Sequence, residues 1–357
     1  MNRIPIYRPV LGEEEKKQLT ECIDAEWLTG GKKVKEFEQR IAELCGVKYA
    51  VACSNGTTAL YLGLLAMGIG IGDEVIVPDF TFIASANAVK WAGAEPVFCD
   101  IDPDTLNIDV KSVETRITPQ TQAIMPVHIY GVACDMDKIM ALAKKYCLYV
   151  IEDACQGIGV TYNGKSVGGF GDVSAMSFYA DKTITTGEGG MVLTDDEGIA
   201  RKSLILKHQG RTGRGWYIHD EIGYNFRMTD MQAGVGLAQL NKLDLIVRAK
   251  NHHSLLYREM LEGIDKIKLP NYCSEDVPFR HNISVDNPDE LIKYLDGKGV
   301  DAKRVFYPLH RQPCYNVGGS YPNADYAYEH GVSLPSSPLL KDEEIEYVCQ
   351  CIKEYLK

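Results

Sequence analysis

The sequence predicts an α/β fold in which a large domain with a mostly parallel sheet, residues 1–245, precedes a small α+β domain, residues 246–357. Two observations carry this prediction. From residue 50 to about 200, short β-branched runs alternate with helical patterns, the signature of βαβ construction. Beyond residue 230 a long helical stretch leads into short elements punctuated by prolines at 270, 278, 288, 308, 313, 322, 335 and 338.

Strands are expected at Glu74 to Val77, Pro96 to Ile101, Ala123 to His128, Leu148 to Ile151, Val173 to Phe178 and Met191 to Thr194. Between them, Thr57 to Met67, Ile83 to Trp91 and Met136 to Tyr146 carry helical periodicity. A sheet of this kind is covered on both faces, and its ligands sit outside the carboxyl ends of the strands. The stretch from Thr229 through Leu261 reads as one long helix, weakly broken by Gly234 and Gly236, that joins the two domains.

Lys and Arg number 38 against 49 Asp and Glu, a net charge of −11. That balance argues against a nucleic-acid or anionic-membrane binder, whose affinity comes from a dense cationic face. It leaves room for a small anionic substrate held by a few local donors. Eleven cysteines in a chain of 357 residues, odd in number and without a metal-knuckle spacing, read as reduced and mostly buried thiols. The first residues carry no apolar run resembling a signal peptide, and Ala59 to Gly72 is too short and glycine-rich to span a bilayer. A soluble, cytoplasmic protein is expected.

Two motifs mislead. Gly159 to Ser166 matches the phosphate loop of nucleotide hydrolases letter for letter. Such a loop needs a helix directly after its Lys-Ser, whereas Asn163-Gly164 signals a hairpin turn and the glycines from 168 to 171 cannot start a helix. Gly68, Gly70 and Gly72 imitate a dinucleotide fingerprint but follow a helix, so they read as a turn into the next strand.

Four other segments fall at predicted strand ends or helix starts. Ser54-Asn55-Gly56-Thr57-Thr58 opens a helix and offers N–H groups and hydroxyls to a phosphate, although capping alone would explain it. In Tyr149 to Gln156 an apolar strand ends in Glu152 and Asp153; a carboxylate that deep expects a cationic partner, and a protonated heterocyclic nitrogen would serve. Lys182 follows a buried strand and precedes a loop rich in hydroxyls and glycine, so its amine can face a cleft and form a Schiff base with a carbonyl. Pro78 to Phe82 ends a strand with aromatics that could cover a planar ring. Phosphate site, acid, lysine and aromatic cover together describe a pocket for pyridoxal 5′-phosphate.

These segments, with Gly223 to Asp230 and Tyr307 to Pro313, resemble the DegT-type nucleotide-sugar aminotransferases across effectively the whole chain. Ser177-Phe178 followed by Lys182 and the run Thr185 to Gly190 is the most specific part. The resemblance implies PLP fold type I, the aspartate aminotransferase-like architecture, with a mixed, mostly parallel sheet. It implies that Lys182 carries the cofactor, Asp153 pairs with the pyridine nitrogen, Phe82 stacks on the ring and Gln156 contacts the ring hydroxyl. Gly56, Thr57, Thr58 and Ser177 would hold the phosphate, with Asn225 reaching it from the neighbouring subunit of a homodimer. Arg227, Tyr307 and His310 lie in segments that approach the sugar in relatives.

A family branch that dehydrates its sugar has histidine at the lysine position, so Lys182 implies transamination. A non-catalytic regulator on this fold should have lost Lys182 or Asp153, and both are present. The run Asp181 to Val192 most resembles the perosamine synthases, implying transfer from L-glutamate, which leaves as 2-oxoglutarate, to carbon 4 of GDP-4-keto-6-deoxymannose. The run Asp153 to Gly157 departs from their pattern and keeps UDP- and dTDP-linked 4-keto-6-deoxy sugars open. Arg211 and Arg214, in a local basic segment, are candidates for a diphosphate contact, against the alternative of a solvated loop.

Overall fold

The structure, a computed structural model, describes residues 3–213 and 217–357. Its centre is a seven-stranded sheet of β1 (Tyr49–Cys53), β2 (Glu74–Pro78), β3 (Glu95–Cys99), β4 (Thr121–Ile124), β5 (Tyr149–Asp153), β8 (Val173–Ser177) and β9 (Gly190–Thr194), in the order β1-β9-β8-β5-β4-β2-β3. The hairpin β6 (Thr161–Tyr162) and β7 (Lys165–Ser166) stands apart. Strands from β3 across to β8 pair in parallel, whereas β9 runs antiparallel to both β8 and β1. The sheet is therefore mixed and mostly parallel, as read from the sequence, with β9 the one reversed strand. No helix separates β8 from β9, so the chain returns through the Lys182 loop and must reverse direction.

Strand side chains alternate between two cores, as the pleat requires. Val75, Val77, Ile151 and Val192 pack on one face, against α3 (Gly56–Ala66), α4 (Ala84–Trp91) and α7 (Glu197–Lys207). On the other face Ile76, Ile124 and Val150 pack with α5 (Val110–Arg116) and α6 (Met136–Tyr146). Met191 and Leu193 join α2 (Lys32–Cys45) and α8 (Asp230–Asn241) there, while α1 (Glu13–Asp24) lies outside against α8. Helix α3 is apolar on nearly every side, and its fully buried Leu62 and Leu64 each stabilise the fold by roughly 1.5–3 kcal/mol.

The long helical stretch is two helices, α8 and α9 (Leu243–Leu261), because the chain turns at Lys242, whose amine is held by Glu15 at 2.7 Å. Gly234 and Gly236 do not break it; a Cβ on Gly236 would stand 2.7 Å from the Phe37 ring, so glycine lets α8 approach α2. After α9 come β10 (His281–Ser284), α10 (Pro288–Gly297), β11 (Lys303–Arg304), α11 (Pro322–His330), β12 (Gly331–Leu334) and α12 (Asp342–Leu356), the strands forming a sheet ordered β10-β12-β11. Their core of Ile283, Leu291, Leu295, Val332, Ile345 and Ile352 also takes in Ile4, which bridges Val300. Ile4 lies in the segment assigned above to the large domain.

The phosphate-loop mimic is the hairpin: Asn163 and Gly164 sit at φ 51° and 75°, and the Glu275 carboxylate accepts both of their N–H groups. All eleven cysteines are free and seven are buried. Among the described residues no helix is long and apolar enough to cross a membrane, and no cluster of potential metal ligands occurs.

Candidate active site

Helix α3 begins where β1 ends. Asn55 is extended and its side chain accepts the Thr58 N–H at 2.9 Å, capping the helix. The N–H groups of Gly56 and Thr57, which a helix leaves unbonded in its first turn, front a cavity of about 490 Å³. A Cβ on Gly56 would stand 2.7 Å from the Ser177 Cβ, so only glycine lets this helix end meet the end of β8. Thr58, expected to help hold a phosphate, is placed differently: its hydroxyl donates to the Asn55 carbonyl at 2.9 Å and lies outside the cavity lining. A β-end threonine at the third helical position closes the cap rather than facing a ligand.

Alternation along β5 sends its two acids apart. Glu152 points to the far face, where its carboxylate meets His128 Nε2 at 2.9 Å with both side chains fully buried, and accepts the Ser174 hydroxyl at 2.7 Å. The His128 Nδ1 accepts the Cys134 N–H at 3.1 Å, which leaves the ring proton on Nε2, directed at Glu152. Asp153 points into the cavity and is 5% exposed. It accepts the Ser85 hydroxyl at 2.7 Å and the Cys155 N–H at 3.1 Å, and among the described residues no cationic side chain pairs with it.

Lys182 lies in the return between β8 and β9. This loop is closed by Phe178 N–H to the Gly189 carbonyl at 2.8 Å and Thr186 N–H to the Phe178 carbonyl at 2.9 Å. The Tyr7 hydroxyl donates to the Lys182 carbonyl at 2.7 Å, fixing its backbone. Burial, then Asp181, pushes the Tyr7 phenol up, so it stays a donor. The Lys182 amine is half-buried, lines the cavity and lies 4.5 Å from the centre of the Phe279 ring.

Phe82 stands half-exposed at the cavity edge, its ring 5.9 Å from that of Phe306. Gln156 turns its side-chain oxygen to the Tyr130 N–H at 2.8 Å, which leaves its amide nitrogen for a ligand. Tyr130 adopts φ 53° and stacks on Phe306 at 5.0 Å, an unusual backbone for an aromatic residue. The cavity thus gathers Gly56, Thr57, Phe82, Asp153, Gln156, Ser177 and Lys182 of the residues named from the sequence.

Besides Thr58, five named residues of the described chain lie outside the lining. Asn225 is exposed and bridges His208, and Arg227 meets His208 Nδ1 at 3.2 Å. Tyr307 packs edge-on against Tyr328 at 4.8 Å. His310 is turned away from the cavity, its Nδ1 2.6 Å from the buried Asp79 carboxylate, which also accepts its backbone N–H at 2.7 Å. Arg211 lies outside the cavity, its guanidinium 5.1 Å from the Tyr217 ring, and Arg214 falls outside the described residues. Sequence reasoning missed Ser85, Tyr130, Arg280, Lys303, Arg304 and Phe306, all in the lining. Arg280, beside the apolar Val277-Pro278-Phe279, was the readable signal among them.

The donor set fits a phosphorylated pyridine aldehyde. A helix end with free N–H groups suits a phosphate, a buried carboxylate that pairs with no cationic side chain among the described residues suits a protonated ring nitrogen, and an amine that faces the same cavity suits the aldehyde.

Comparison with known proteins agrees. The description of the DegT/DnrJ/EryC1/StrS aminotransferase family matches residues 9–353. The chain belongs to that family. It is 42% identical over 363 residues to the GDP-perosamine synthase of Escherichia coli O157:H7, with 99% of each chain covered. It is 39% identical over 342 residues to the UDP-N-acetyl-3-dehydro-alpha-D-glucosamine 3-aminotransferase of Acidithiobacillus ferrooxidans, covering 93% and 91% of the two. The crystal structure of S. venezuelae DesV in complex with a ketimine intermediate superposes with a TM-score of 0.94 at 32% identity, covering 100% of this chain and 99% of that one. The family member described here is an aminotransferase of PLP fold type I, and pyridoxal phosphate is its cofactor.

Proposed function

We propose that the protein moves an amino group from L-glutamate to carbon 4 of a nucleotide-linked 4-keto-6-deoxy sugar, with GDP-4-keto-6-deoxymannose preferred. The single observation that carries the reading is that Lys182 and Asp153, which pairs with no cationic side chain among the described residues, face one cavity that the open end of α3 also lines. The full-length similarity to a GDP-perosamine synthase supports the GDP sugar, and the UDP-sugar relative keeps UDP- and dTDP-linked substrates as the alternative.

Bound pyridoxal phosphate supplies a carbonyl that condenses with amines and a ring that takes up the electron pair released at the substrate carbon. Asp153 keeps a proton on the ring nitrogen, since a buried carboxylate stabilises an adjacent cation. With the cofactor bound, the Lys182 amine would accept the proton removed from the donor carbon and would return one in the second half of the exchange with the keto sugar. Gly56, Thr57 and Ser177 hold the phosphate at the helix end, and Phe82 covers the ring. Asn225 completes the phosphate site of the partner in a homodimer, which accounts for its exposure on a single chain. Residues 1–245 form the cofactor-binding part and 246–357 the small domain.

Purified protein should be yellow. Borohydride reduction should fix the cofactor's mass on the peptide bearing Lys182, and Lys182→Ala should lose that adduct. A colourless protein that takes up no pyridoxal phosphate would refute the proposal.

A further inference from the structure

Arg280 serves no role in the chemistry above, yet it lines the cavity and is 8% exposed. Its Nη2 bonds the Asp181 carboxylate at 2.5 Å, while its Nη1 is buried with no hydrogen-bond partner among the described residues. A buried guanidinium with an idle nitrogen is costly unless a ligand completes its fork.

This side chain lies close to Lys182. Both cations pack on the Phe279 ring, whose centre is 4.5 Å from the Lys182 amine and 4.8 Å from the Arg280 guanidinium carbon, so the two lie within about 9 Å of each other. The segment is held from behind by Lys250, fully buried on α9, whose amine donates to the Pro278 carbonyl at 3.0 Å and the Ser336 carbonyl at 3.3 Å. Lys303 and Arg304 add positive charge along the same wall from β11. Asp181 offsets part of this field.

We propose that Arg280 is the anchor for a carboxylate of the amino donor. This deepens the glutamate reading and rests on it. A five-carbon amino dicarboxylate that places its nitrogen at Lys182 can span the remaining distance with a carboxylate, and a planar guanidinium grips that group with two parallel bonds. The diphosphate of a sugar nucleotide is separated from its reacting keto carbon by the sugar ring, so it meets the protein farther from Lys182. Asp181 holds Nη2 of the fork and leaves Nη1 without a partner among the described residues.

The test uses the holoenzyme and the variants Arg280→Gln and Arg280→Lys. Glutarate, which has both carboxylates and no amine, is titrated by calorimetry. The half-reaction with glutamate is followed by loss of the cofactor's colour, and the return half-reaction by its recovery with a nucleotide-linked keto sugar. Arg280→Gln should weaken glutarate binding and raise half-saturating glutamate by roughly tenfold or more, with Arg280→Lys intermediate. The return half-reaction should stay within about twofold of wild type. Unchanged glutarate binding in Arg280→Gln overturns the proposal, as does a loss confined to the sugar half-reaction, which would assign Arg280 to the diphosphate. If Arg280→Gln does not hold cofactor, Arg280→Lys decides by the same titration. A wild-type enzyme that binds glutarate but gives no colour loss with glutamate would instead refute the donor assignment.

Discussion

Replacing Asp153 by Asn separates the acid's role in cofactor binding from its role in the fold. The apoprotein should tolerate the change. The new side-chain oxygen still accepts the Cys155 N–H, and the Ser85 hydroxyl, which now donates at 2.7 Å, can rotate and accept from the new amide. The loss falls on the bound state, because a charge-assisted bond to a protonated ring nitrogen becomes a neutral one. Hydrogen bonds to charged groups contribute about 1.5–3 kcal/mol, so a loss of about 2 kcal/mol is expected. That corresponds to roughly thirtyfold weaker cofactor binding. At saturating cofactor the ligand's contribution to stability should fall by a similar amount, since stabilisation follows the logarithm of occupancy. Thermal unfolding with and without pyridoxal phosphate measures both quantities. Apoprotein melting should stay close to wild type while the cofactor-induced rise shrinks. An unchanged rise would refute the pairing of Asp153 with the ring nitrogen, and a collapsed apoprotein would show that the carboxylate is structural.

Three further perturbations test other parts of the fold and site. Gly56→Ala places a methyl 2.7 Å from the Ser177 Cβ and 2.8 Å from the Cys155 sulfur, and overpacking of this kind costs about 1–3 kcal/mol; it should lower cofactor affinity with little effect elsewhere, read by fluorescence titration. Burial raises Asp79 to about 6 against the opposing bonds from His310, so its folded value lies above its unfolded one and its contribution worsens as pH rises from about 4 through 6. His310→Ala removes the imidazole bond, leaves the backbone N–H bond in place, and should cost about 3 kcal/mol in urea unfolding at pH 8 but clearly less at pH 5, where Asp79 takes up a proton; equal losses at both would argue against an ionised Asp79 held by the imidazole. Burial, then Arg280, lowers Lys250 to about 7, so the unfolded chain binds more protons between about pH 7 and 10 and stability rises with pH there. Lys250→Met should flatten that rise relative to wild type, and parallel curves would argue against a titrating Lys250.

Much of the fold was legible because strand and helix periods are local properties. The boundaries of α6 and β2 fall at or within one residue of those read from the pattern. The reversed β9 was not legible, since an apolar run of five residues reads the same in either direction and only the missing crossover helix betrays it. The break at Lys242 was hidden because its cause is a tertiary contact with Glu15, 227 residues away. In the site, residues whose roles follow from a strand end or helix start, such as Gly56, Asp153 and Lys182, came together as expected. Thr58 and His310 show the limit: both have suitable chemistry, but one hydroxyl is spent on Asn55 and one imidazole on Asp79. Arg280 lies just before β10 and Lys303 and Arg304 form β11 of the small sheet, and no sequence spacing relates them to Lys182.

Glutamate-dependent amination, run with GDP-, UDP- and dTDP-linked 4-keto-6-deoxy sugars and read by product mass and the position of the new amine, tests the central claim most directly. The expected result is one nitrogen transferred to carbon 4, fastest with the GDP-linked sugar, with 2-oxoglutarate formed in equal amount and no product from Lys182→Ala. Absence of an aminated product from all three sugars, with the cofactor bound, would contradict it.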